Sequence, residues 1–246
     1  MNELLTWLTD PANWSGTAGV PNRLLEHISM CGASVLAAML IGLPLGLFIG
    51  HTGRFANAAI NVANVGRAIP SYALLVIFLP VALSLWPDPT SALNIVPTFI
   101  AMTALAVPPI LVTTWAGIRG VDRDLVEAGR GMGLTELEIL RRIEVPIAIP
   151  VIVGGVRTAT LQVIATATIG AILGGGGLGR FVVDGFHNPG APAQLYAGAL
   201  LVALLAIAVD GLLAIVQRAL TPRALRGAIG REAAYDTAAL PEASSA

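Results

Sequence analysis

Residues able to do chemistry are sparse in this chain of 246 residues, and several lose that chemistry once their neighbours are read. Gly174, Gly176 and Gly179 satisfy G-x-G-x-x-G, the spacing that cradles a pyrophosphate at a helix N-terminus. That use requires a preceding strand and an acid about 20 residues further on. Here a long apolar stretch precedes the glycines and no acid stands near positions 194–200, so a turn or re-entrant bend fits better. His27, His51 and His187 are far apart, each at the edge of an apolar stretch, where an interfacial place fits better than metal ligation. Cys31, the single cysteine, lies in an apolar run and reads as a small buried hydrophobe. No Ser-His-Asp or paired-carboxylate arrangement falls on one face, so neither catalytic residues nor a metal site are expected.

Two further groups keep their interest. Arg157 and Asp210 are the only charges inside long apolar segments, where ionisable groups are costly and usually paired or functional. Each lies about six residues, or ~9 Å, from the same end of its segment, so the two can meet as a salt bridge or gate element. The second group occupies residues 119–150. Val126 and Ala128 precede glycines at 129, 131 and 133; Thr135 then stands three residues before Glu138, the capping-box spacing. Leu137, Ile139, Leu140 and Ile143 give the next helix an apolar stripe, and Pro146 and Pro150 punctuate the entry to the apolar segment that follows. A helix, a glycine turn and a second amphipathic helix make a surface suited to a groove on another protein.

The surrounding elements follow from composition. Charged residues are 12% and hydrophobic residues 55% of the chain. An ordinary soluble domain carries about 25% charge. All 14 basic residues are Arg, so no P-loop lysine is present, and a nucleic-acid-binding or disordered chain is excluded by charge and composition. A membrane crossing takes about 20 apolar residues. Five segments qualify: 28–49, 68–86, 93–118, 151–173 and 195–216. With the N-terminus outside, eleven Arg lie inside, Arg23 and Arg180 outside, and Arg157 within a span; the positive-inside rule selects this orientation. The division is an external segment 1–27, a membrane domain 28–217 with its cytoplasmic loop 119–150, and a tail 218–246. Gly42, Gly46 and Gly50 form a small-residue stripe for close packing, within the chain or between copies. Asn57, Asn61 and Asn64 share one helical face of a connector or gating helix.

The loop resembles a known family signature. Glu127-Ala128-Gly129, three residues, Gly133, nine residues, Ile143, one residue and Val145-Pro146 is similar to the EAA loop, E-A-A-x3-G-x9-I-x-L-P, of ABC-importer permeases. Gly129 replaces the third Ala, and Val145 replaces Leu. Ile69-Pro70-Ser71, Ala73-Leu74-Leu75, Val156-Arg157-Thr158-Ala159 and Gly174 to Gly179 resemble the quaternary-amine branch, which imports glycine betaine, carnitine, choline or proline. The resemblance runs over about residues 65 to 215.

It implies an all-α membrane protein with the type I importer-permease (MetI-like) fold, multi-pass in a bacterial cytoplasmic membrane. It further implies coupling to an ATPase through Glu127, Ala128, Gly129, Gly133, Ile143 and Pro146. Pro70, Ser71, Gly176, Gly177 and Gly179 would border the translocation path. The implied partners are a cytosolic ABC ATPase dimer, a second permease subunit (identical or paralogous), an extracytoplasmic substrate-binding protein and the lipid bilayer. ATP and Mg would sit on the ATPase, leaving this chain without a cofactor. Aromatics are 5% and scattered, so an aromatic cage for a quaternary ammonium is not expected within it. The competing readings are a permease for methionine or a sulfonate, and a stand-alone secondary transporter.

Overall fold

In a computed structural model of the chain, residues 2–85, 96–188, 190 and 192–222 are described. The structure is helical: α1 (Asn2–Thr9), α2 (Val20–Thr52), α3 (Ala56–Ala68), α4 (Ser71–Leu85), α5 (Val96–Arg119), α6 (Arg123–Gly131), α7 (Glu136–Leu173), α8 (Gly179–His187) and α9 (Pro192–Leu220). No strand occurs among the described residues. Four helices, α2, α5, α7 and α9, are long and apolar enough to cross a membrane. Ala56–Gly66 and Ser71–Val81 make a fifth candidate, bent by 95° at its break.

The spans differ from the hydropathy reading in physically interpretable ways. α2 begins at Val20 rather than 28, with Gly19 before it and Pro21 in its first turn. The charges of Arg23 and Glu26 had placed that stretch outside the span; here they pair at 2.9 Å on successive turns, and the helix continues through them. The segment 68–86 is not one straight crossing, because Pro70 follows an extended Ile69 (ψ 123) and divides α3 from α4. The expected span ends at Trp86 and Leu93 lie outside the described residues, as does the tail beyond 222.

Pro146 and Pro150, expected at the entry to the fourth span, lie inside one continuous helix. α7 starts at a Thr135 cap, widens into a π-helical turn at Leu140–Glu144, and continues through both prolines. In the π turn, Val145 N–H bonds to Leu140 O, five residues back. That irregularity falls just before Pro146, where a regular ladder would lose a donor and meet the proline ring.

α5 is the central helix, packing against α2, α3, α4 and α7. Cys31, Val35 and Ala38 of α2 meet Met102, Ala106 and Ile110 of α5, and Ala159, Val163 and Ala167 of α7, in one buried cluster. The stripe in α2 makes this contact close. A Cβ on Gly42 would stand 3.0 Å from Ile110 Cγ2, one on Gly46 2.6 Å from Thr114 Cβ, and one on Gly50 2.7 Å from Ile118 Cβ. The partners advance with the glycines, so the two helices run parallel, and the stripe serves packing within the chain. At the N-terminus, α1 folds back on α9, and Trp7 lies edge-on to Phe181 at 5.3 Å.

Candidate functional site

At one end of the bundle, here the loop end, residues 120–150 fold into a small unit with its own core. Val121, Val126 and Ile139 are buried, with Leu134, Ile143 and Ile147 packed around them. Asp122 caps α6 by accepting from Asp124 N–H at 2.9 Å. α6 ends where Met132 N–H donates to Ala128 O, and Gly133, at φ 85°, reverses the chain. Leu134 N–H then returns to Gly129 O at 3.1 Å. Thr135 and Glu138 complete a reciprocal capping box at the start of α7. Arg130 clamps Glu136 with two hydrogen bonds, 2.8 and 3.0 Å, and this pairing raises the guanidinium above its usual range.

The motif residues divide by burial. Glu127, Ala128 and Gly133 are exposed, Gly129 is buried, and Ile143 and Pro146 are half-buried. A Cβ on Gly129 would stand 2.7 Å from Ile143 Cδ1, so the glycine that departs from the alanine pattern makes room for the motif's own isoleucine. Leu125, Met132 and Leu137 project from the same unit as exposed large apolar side chains, a surface open to a protein partner.

The unit is tied to the end of α2 by residues that sequence reasoning missed. His51 Nδ1 is 2.5 Å from Glu144 Oε2, and its Nε2 is 3.2 Å from Glu136 Oε2. Glu144 is fully buried, and Arg123 Nη1 lies 3.9 Å from its second oxygen. His51 had been read as interfacial, and Glu144 had not been singled out. One signal was available: Glu144 stands four residues after Leu140 on the apolar stripe of its helix, where a charge must find a partner. Its partner is 93 positions away, beyond the reach of local pattern reading.

The glycine run lies at the opposite end. Gly174 and Gly177 adopt φ 91° and 82° and form a tight turn between α7 and α8. This turn is packed: Gly175, Gly177 and Gly179 are buried, and a Cβ on Gly179 would meet Thr168 O at 2.7 Å. Gly177 N–H donates to Glu26 Oε2 at 2.8 Å, and Gly177 lies against His27. His27 is fully buried among protein side chains at this end of the bundle, and His187 is exposed. Beside the turn is an open cavity of about 470 Å³ lined by Arg23, Glu26, Met30, Phe99, Gly174 and Gly176. Pro70 and Ser71 are not at this depth. Gly66, just before their bend, packs on Pro108, nine residues (about 14 Å) further along α5 than Phe99.

Arg157 and Asp210 join α7 to α9 through two hydrogen bonds, Nε to Oδ1 and Nη2 to Oδ2, the latter 2.5 Å. Seven residues away on each helix, Gln217 donates to Pro150 O at 2.8 Å. These two polar ties, two turns apart, set the antiparallel register. Among the described residues no group of three His, Cys, Asp or Glu could hold a metal.

Residues 42–223 match the family described as binding-protein-dependent transport system inner membrane component. The chain is 36% identical over 227 residues to the glycine betaine/carnitine/choline transport system permease protein OpuCB of Bacillus subtilis, covering 92% of this chain and 98% of that protein. It is 36% identical over 204 residues to the choline transport system permease protein OpuBB of the same organism, covering 83% and 89%. A carnitine transport permease protein of Listeria monocytogenes is 34% identical over 203 residues, covering 82% and 88%. Among solved structures, an inward-facing form of the MetNI methionine ABC transporter superposes with a TM-score of 0.75 at 21% identity, covering 87% of this chain and all of that one (100%). That likeness concerns the fold.

Proposed function

The chain belongs to the family of binding-protein-dependent transport system inner membrane components, and from that premise we propose that it is the permease subunit of an ATP-driven importer of quaternary-amine solutes. The solutes are those named for its relatives: glycine betaine, carnitine and choline. Similarity at 36% identity over 92% of the chain carries this reading, since it spans the bundle and the folded loop together.

In this reading the loop end faces the cytoplasm and the glycine end faces outside, as the arginine distribution favours. The membrane is a bacterial cytoplasmic membrane. Two permease subunits line one path, and an ATPase dimer grips the exposed Glu127–Gly133 turn of each. ATP and Mg are bound by the ATPase. A separate binding protein supplies solute affinity at the glycine end, and the open cavity there, with Phe99 as its aromatic wall, fits a weak site of passage. Pro70 and Ser71, at the α3–α4 bend, border the path deeper in the bundle, and Gly176, Gly177 and Gly179 border its outer mouth.

Arg157 and Asp210 hold α7 and α9 as one body. A charge in a span without its partner would be costly, so a pair satisfies both. A secondary transporter would place such a pair on an ion path between inverted repeats; here it fixes two neighbouring helices side by side.

The solute range is tested in a bacterial host stripped of its own osmoprotectant uptake and supplied with this chain and its ATPase and binding protein. Growth at high salt should be rescued by betaine, carnitine or choline, and not by methionine or a sulfonate. Rescue by neither group, with methionine uptake instead, would overturn the substrate class.

A further inference from the structure

α2 is anchored by polar side chains at both ends, and each anchor reaches a different part of the machinery. At the loop end, His51 sits between two carboxylates, 2.5 Å from Glu144 and 3.2 Å from Glu136. A carboxylate oxygen stands against each ring nitrogen, so the ring bridges Glu144 and Glu136. Glu144 is closed off from solvent, so its carboxyl group relies on protein partners. Arg123 faces Glu144 from α6, and Arg130 faces Glu136. At the other end, Glu26 accepts from Gly177 N–H, while His27 packs under the same glycine. Arg23 holds the Glu26 carboxylate from the preceding turn.

Between these ends α2 is stiff. Its 33 residues span about 50 Å as one helix. Pro44 removes a backbone hydrogen bond, but Gly42 and Gly46 on either side sit directly against α5. Close-packed contacts of this kind move as a body rather than bending continuously.

We propose that α2 is the transmission rod of this permease, with His51 and Glu26 as its positioning residues: His51 takes up displacement of the coupling segment, and Glu26 delivers it to the glycine turn 151 residues away. The proposal rests on the permease reading, with the ATPase at the coupling segment. It assigns His51 and Glu26, both outside the EAA loop, a part in coupling, with Glu144 inside the loop as the partner of His51. It also makes the rod two-way: occupation of the glycine end by a loaded binding protein is felt at the ATPase through the same helix.

The test is a double-mutant cycle on the reconstituted complex, reading the factor by which solute-loaded binding protein stimulates ATP hydrolysis. His51→Leu and Glu26→Leu should each lower that factor about five-fold or more. Because one broken end already disconnects a rod, the double variant should be no worse than the weaker single one. His51→Arg, whose fork reaches both carboxylates, should restore most of the stimulation. Assembly is checked by co-purification of the ATPase. Full stimulation in both single variants, a double loss equal to the product of the single losses, or no difference between His51→Arg and His51→Leu would each overturn the rod. An unaltered complex with no ATPase bound would instead overturn the permease reading itself.

Discussion

Gly133 turns the chain at φ 85°, and nothing lies within 4 Å of where its Cβ would stand, so the position selects on backbone conformation alone. Replacing it by valine should strain the turn by about 1–3 kcal/mol, whereas asparagine, which tolerates the left-handed region, should be milder. The expected order of ATPase stimulation is Gly, then Asn, then Val. A Gly133→Val complex as active as the unaltered one would place the coupling contact elsewhere. Gly129 is the contrasting case, since Ile143 occupies the space that a side chain there would need. The sequence alone ranked these two glycines together; one is explained by φ and the other by a neighbour 14 positions on. The capping box at Thr135 and Glu138 was fully legible, because both partners lie within one turn. The His51–Glu144 pair was not, because neither residue carries a local trace of the other.

At the scale of elements, hydropathy located the long helices but misjudged where they stop. It began the first span too late, at 28, because Arg23 and Glu26 read as solvent charges, whereas Glu26 is satisfied by the backbone amide of Gly177 in the glycine turn. It began the fourth span only after the prolines, at 151, because the π turn that lets α7 continue through them has no simple signature. The bent α3–α4 pair follows from Pro70, a residue whose presence was plain but whose effect on a span depends on what packs beside it. Parallel packing of α2 on α5 gives an element-scale prediction. With Thr114 Cβ 2.6 Å and Leu111 O 2.8 Å from the Gly46 Cβ position, Gly46→Leu must push the helices apart. Overpacking of this order destabilises by about 1–3 kcal/mol. The thermal midpoint of the purified subunit should fall, while a leucine at exposed Gly32, with nothing within 4 Å of its Cβ position, should leave it unchanged. Equal midpoints for the two variants would contradict the close α2–α5 approach.

In the whole molecule, a folded loop at one end is joined to a packed glycine turn at the other by long helices. The chain carries no lysine for a phosphate-binding loop, in keeping with the proposal that a separate ATPase powers the importer. The most direct measurement is solute uptake into liposomes holding this chain with its ATPase and binding protein. Labelled glycine betaine should accumulate only with ATP enclosed on the ATPase side, and at an undiminished rate when ionophores abolish every ion gradient. Uptake that proceeds without ATP and stops on collapse of a sodium or proton gradient would contradict it.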